Sequence, residues 1–185
     1  VPEYPSSPGG FLVPEKEIIL RYHNALVDKH GNYQKYCSKG IVQDKDRYVI
    51  AINGGHVPYG FLEDDEDEVP LPLKVVFPCG DPQTVIDRET LELKSSQYEY
   101  RPNVIRKNWK PESTMIFLDK EYAGISALLF SAVKAASRAS VLGDDFIIIH
   151  NPVAKNRIHL GYTNMGKKYW INDKGVLTNQ GHQEK

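Results

Sequence analysis

Asp87 and the triplet Glu92-Leu93-Lys94 are the sharpest group of residues with chemistry to offer. An acid closing one extended run, with an acid and an amine flanking a single residue at the start of the next, could hold a divalent cation beside a charge-stabilising lysine. Metal-dependent phosphodiester hydrolysis requires such a set. Alternate residues of a strand share a face, so Glu92 and Lys94 point the same way. The turn between the acids is tight, however, and an ordinary solvent-facing hairpin carries the same charges. His150 is the second candidate. It follows the run Phe146 to Ile149 and opens the triplet His150-Asn151-Pro152, and ligands of open α/β sheets gather at strand ends. Its imidazole can act as an acid or base near neutral pH, or it can make local hydrogen bonds that fix a turn.

Other chemistry finds less support. The chain has no Gly-x-Ser-x-Gly elbow, Cys37 falls at the end of a helical stretch, Cys79 sits in a turn, and no sequence rule pairs either with His150 or His159. Asn53-Gly54-Gly55 lacks the phosphate-binding glycine patterns and reads as a turn. The acidic block EDDEDE at 63–68 lacks the spaced ligands and turn glycine of a calcium loop, so it reads as a solvated loop. The sequence therefore assigns no metal ligands and no cofactor to this chain. Basic residues fall in three groups: Arg21, Lys29 and Lys35; then Arg101, Arg106, Lys107 and Lys110 around Trp109; then Lys155, Arg157, Lys167 and Lys168 near Tyr162, Tyr169 and Trp170. Arg21, Lys29, Arg101, Arg106, Lys107 and Lys155 are the candidates for phosphate contact with DNA or RNA. Surface charge with stems lying along apolar neighbours accounts for them equally well.

These residues are carried by 185 residues with 41% hydrophobic content, enough to bury a substantial core in one or at most two domains. Lys and Arg total 23 against 24 Asp and Glu, a formal charge of −1. That balance excludes the strong overall positive field of a dedicated nucleic-acid binder and leaves only local basic surface. No apolar run approaches the roughly 20 residues that span a bilayer, and the opening VPEYPSSPGG has neither a basic region nor an apolar signal core. A soluble protein with free thiols at Cys37 and Cys79, in a reducing, cytoplasmic setting, is the expectation.

Residues 1–14 read as loop or linker, and their start at Val1 reads as a fragment or processed chain. Pro14, Glu15 and Glu17 open a helix whose apolar stripe runs Ile18, Tyr22, Leu26, Tyr33, Cys37 and which Gly40 closes, with a break at Gly31 as the alternative. Tyr48 to Ile52 predicts a central strand covered on both faces. Leu73 to Phe77 predicts another. Residues 84–102 alternate as a hairpin turning near Arg88-Glu89-Thr90, and the apolar pattern continues through Thr114 to Leu118 in an antiparallel meander. Ile125 to Phe130 predicts a strand, with a helix from Gly124 as the alternative, then a spacer of helix-friendly composition and the strand Phe146 to Ile149. A short pair, Lys168 to Ile171 and Val176 to Thr178, precedes a polar end, and 173–185 is expected as a flexible tail beyond a single domain at 15–172. The fold class is α/β or α+β: a mixed central sheet with a long N-terminal helix.

The succession EKEIILRYHNALVDKHGNYQKYCSKGIV, RYVIAINGG, VVFPCG, TVIDRETLELKSSQYEYRP, STMIFLDKEYAGISALLFS and DDFIIIHNPVAKN resembles an uncharacterised bacterial protein family similar to the PD-(D/E)XK nuclease-like superfamily, over residues 15–172. The resemblance implies a restriction-endonuclease-like fold in which metal-binding acids and a lysine lie on strands ahead of a helix like that at 15–39. Residues 1–14 contain only Glu3 and no Lys. The likeness therefore implies that the acids, with magnesium or manganese, belong to a longer parent chain whose upstream segment packs here, and no catalytic residue transfers. Two functions follow: the C-terminal portion of a nuclease-like protein acting on DNA or RNA, or a non-catalytic binding or assembly module.

Overall fold

The computed structural model describes residues 13–58, 69–134 and 141–180. The opening segment to Leu12, the EDDEDE block and the helix-friendly spacer at 135–140 lie outside the described residues. Helix α1, Glu15–Ser38, runs unbroken through Gly31 for 24 residues. Glu15 and Glu17 in its first turn and Lys35 in its last complement the helix dipole. Its stripe of Ile18, Ile19, Tyr22 and Leu26 is buried. Next to Gly31, His30 is packed between the rings of Tyr33 and Tyr122, and this packing outweighs the cost of about 1 kcal/mol for glycine inside a helix. Gly40, at φ 69°, turns the chain out of the helix.

The apolar stripe covers one face of a five-stranded mixed sheet in the order β1-β6-β7-β8-β9. Its strands are β1 (Tyr48–Asn53), β6 (Ile125–Ser131), β7 (Ile147–His150), β8 (Lys167–Ile171) and β9 (Leu177–Gln180). β1 pairs parallel with β6, β6 antiparallel with β7, β7 parallel with β8, and β8 antiparallel with β9. Ile18, Tyr22 and Leu26 of α1 share one core with Ile50, Leu128, Phe130 and Ile149 of the sheet, and Tyr22 meets Phe130 edge-on at 4.8 Å between ring centroids.

Several expectations need correction. Among the described residues β1 is an edge strand rather than a central one, because only β6 pairs with it. Ile50 and Ile52 are buried, whereas Val49 is 39% exposed, so the apolar run has one covered face. Leu73 to Phe77 does not form a strand: helix α2 spans Leu71–Val76. Prolines at 70 and 72 suit the entry to a helix, and Leu73, Val75 and Val76 are all buried against α1 and the core. Short runs buried all round do not show by periodicity whether they are helix or strand. The hairpin is β2 (Cys79–Ile86) with β3 (Leu93–Tyr100), and β4 (Asn103–Ile105) pairs with β5 (Pro111–Ser113). These are separate two-stranded sheets, not a continuation of the main one. Beyond them Ile116–Leu118 forms a 3₁₀ turn in place of an extended run. The expected tail from 173 is ordered as far as Gln180, where β9 edges the sheet.

The parallel step from β7 to β8 needs a crossover connection, which residues 151–166 supply. Strand alternation puts Ile149 and Tyr169 on the helix side and His150 and Lys168 on the other. Both of these polar residues hold the crossover: Lys168 Nζ donates to the Thr163 carbonyl, and the His150 ring bonds the Ile158 backbone. Where the crossover rejoins the sheet, Gly166 has φ 66°, and a Cβ there would collide with the Phe146 backbone. Cys37 and Cys79 are free thiols, the first exposed and the second half-buried. No helix among the described residues is long and apolar enough to cross a membrane.

Candidate functional site

Because β7 and β8 are parallel and β6 runs against β7, the carboxyl ends of β7 and β8 and the amino end of β6 meet on one side of the sheet. The residues there are tied to backbone. Asn151, 2% exposed, donates through Nδ2 to the carbonyls of Tyr122 and Ile125 at 3.0 and 2.8 Å and accepts from the Val153 amide at 3.0 Å. Ser126 Oγ donates to the Asn156 carbonyl at 2.6 Å and accepts from the Tyr48 amide at 3.1 Å. Arg157 donates through Nη2 to the Pro152 carbonyl, while its own carbonyl accepts from Arg47 Nε at 3.1 Å. Asn172 closes the β8–β9 turn by accepting from the amides of Lys174 and Val176, both at 3.0 Å.

Between these strand ends and the crossover lies a cleft of about 320 Å³. His150, Arg157, Trp170, Asn172 and Asp173 give it polar and aromatic character, and Ile158 and Leu160 give it an apolar wall. His150 is 9% exposed. Burial, reinforced by the nearby Lys168 ammonium, pushes its pKa below the usual 6.5, against the opposing effect of the hydrogen bond to Ile158. Nε2 is buried with no hydrogen-bonding partner, so the bond to Ile158 falls to Nδ1. A neutral ring with its proton on Nδ1 leaves Nε2 as an acceptor. The cleft thus combines a guanidinium, an indole face, a carboxylate and a recessed acceptor.

The other sequence candidates lie elsewhere. Asp87 and Lys94 do meet, at 2.5 Å, across the β2–β3 turn. Asp87 also accepts from the Glu89 and Thr90 amides at 2.8 and 3.0 Å. Lys94, followed by those amides, pulls its carboxyl down to about 2. Glu92 contributes backbone to the same turn, its carbonyl accepting from the Asp87 amide at 2.9 Å and its amide donating to Thr90 Oγ1 at 3.3 Å. Among the described residues no group of three His, Cys, Asp or Glu side chains is placed to hold a metal ion.

The six phosphate candidates do not form one patch. Arg101 pairs with Glu15 at 2.9 Å, which also takes the buried Lys74 at 3.0 Å. Arg106 bonds Glu112 at 2.6 Å and Asn24 at 2.5 Å. Lys155 pairs with Asp44 at 3.2 Å. Arg21, Lys29 and Lys107 are exposed. Glu15 and Tyr33, which mark the Arg101 and cleft ends of α1, are about 27 Å apart along its axis. Sequence reasoning pointed to His150 and grouped Arg157 with Trp170, but it missed Asn172 and Asp173, which fall in the Asn172-Asp173-Lys174-Gly175 turn between β8 and β9. Comparison with protein-family models, curated proteins and solved structures returns no match to this chain.

Proposed function

We propose that the chain is a nucleic-acid-binding α/β domain, related by its sequence resemblance to the PD-(D/E)XK nuclease-like proteins and their restriction-endonuclease-like fold. In this reading it holds a single strand of DNA or RNA at the cleft end of the sheet and does not cut it with its own residues. The observation that carries the reading is the convergence of Arg157, Trp170 and the neutral His150 on one cleft. Unpaired strands are recognised by a cation that meets the backbone, an aromatic or guanidinium face that stacks on a base, and polar groups that read its edge.

Fluorescence anisotropy with labelled single-stranded and duplex oligonucleotides, without added metal, tests this. Single strands are expected to bind more tightly than duplex, and Arg157→Ala should weaken binding and reduce the salt slope by about 0.7. No binding at low salt, or an unchanged Arg157→Ala variant, would overturn the reading. Cleavage in magnesium or manganese that disappears in Asp87→Asn or Glu92→Gln would return catalysis to the hairpin. The second reading, an assembly module, is favoured by the β2–β3 ribbon, which exposes Ile86, Leu91, Leu93 and Tyr100. A mass by analytical ultracentrifugation that rises with concentration, and falls in the Leu91→Ser/Leu93→Ser double variant, would favour it.

A further inference from the structure

Resting on the strand-binding reading, we infer that the cleft reads one unpaired nucleobase by its exocyclic amine, which donates to His150 Nε2 while the ring lies against Trp170 and Arg157 takes the adjoining phosphate. The shape of the site points to this ligand. A cleft of about 320 Å³ is at the small end of ligand sites, which run from roughly 300 to 1,000 Å³, and suits one base with its sugar. Trp170 is half-buried and lines the cleft. Arg157 spends Nη2 on the Pro152 carbonyl and has other N–H groups to offer. Asp173 is exposed on the opposite turn and makes a bare phosphate a poor occupant, whereas it can accept from a sugar hydroxyl.

His150 supplies the selectivity. Its Nε2 has no partner and less than 1 Å² of exposed surface, so a ligand engages it only with a slim donor that projects beyond the outline of its ring and displaces the side chains over the acceptor. The amines of adenine and cytosine project in this way. The ring N–H of thymine or uracil lies between two carbonyl oxygens, which would meet the cleft wall and the acceptor's lone pair first. A buried acceptor left without its donor costs binding, and the preference follows from that cost.

The test compares dA, dC and dT octamers by anisotropy, together with an octamer of N6,N6-dimethyladenine, which keeps the ring but has no amine hydrogen. dA and dC are expected to bind about fivefold to tenfold more tightly than dT, and the dimethylated strand should behave as dT. His150→Phe should erase the preference, so that dA, dC and dT bind alike, whatever it does to the overall affinity. The methylated strand gives the same answer with the unaltered protein, should the His150 variant fold poorly. Equal affinity for all strands, or a preference that survives in His150→Phe, overturns the inference and leaves strand binding standing. If no strand binds but free adenosine does, dependent on His150, the strand-binding reading falls while base recognition stands. If neither binds, both fall.

Discussion

At the residue scale, the cleft depends on Asn151 more than on any group that faces a ligand. Its amide satisfies two carbonyls and one backbone N–H in a site almost without solvent, and it fixes the point where the chain leaves β7. Asn151→Ala should cost about 2–3 kcal/mol, since buried backbone groups lose their partners. Asn151→Asp should cost at least as much, because it turns a carboxylate toward the Tyr122 and Ile125 carbonyls. Urea unfolding of the two variants checks both the magnitude and the order. The position of this residue was legible from His150-Asn151-Pro152 at the end of an apolar run. Its partners were not, because Tyr122 and Ile125 come from a distant stretch brought close by the β6–β7 pairing. The partnerless Nε2 of His150 was equally hidden, since it depends on where the Ile158 carbonyl arrives.

At the element scale, α1 was the most readable part because its signals agree: proline before it, acids in the first turn, apolar residues at helical spacing and a glycine beyond it. The hairpin turn at Asp87 was readable for a similar reason. α2 misled because Leu73-Lys74-Val75-Val76 has the branched composition of a strand, while its burial on every side is a tertiary fact. β1 misled in the same sense, since an apolar run does not say how many neighbours it has. Gly31 is the one discordant residue in α1, and a Cβ there meets nothing within 4 Å. Gly31→Ala should therefore stabilise the protein by about 0.5–1 kcal/mol, read as a shift of the urea midpoint with an unchanged slope. A loss of stability would mean that the helix bends at this point in solution.

At the scale of the whole molecule, the buried histidines set the response to acid. Burial is the first cause that lowers the pKa values of His23, His30 and His150 below 6.5. Protons then bind the unfolded chain before the folded one, so stability is full above about pH 6.5 and declines as the pH falls below it. The depressed carboxyl of Asp87 acts in a separate, lower window, its contribution being lost between 3.8 and about 2. Unfolding free energies measured from pH 8 to 5 should form a plateau and then drop, and replacing His30 with Asn should make the drop shallower whatever it does to the plateau. A flat profile would show that the imidazoles stay solvated. The two thiols give a further, practical consequence. Cys37 is open to solvent, whereas burial raises the Cys79 thiol, so at neutral pH a maleimide dye should add once, at Cys37. Because α1 covers the face of the sheet opposite the one that carries His150 and Lys168, that dye would label the protein away from the cleft and leave the cleft free, without an engineered cysteine.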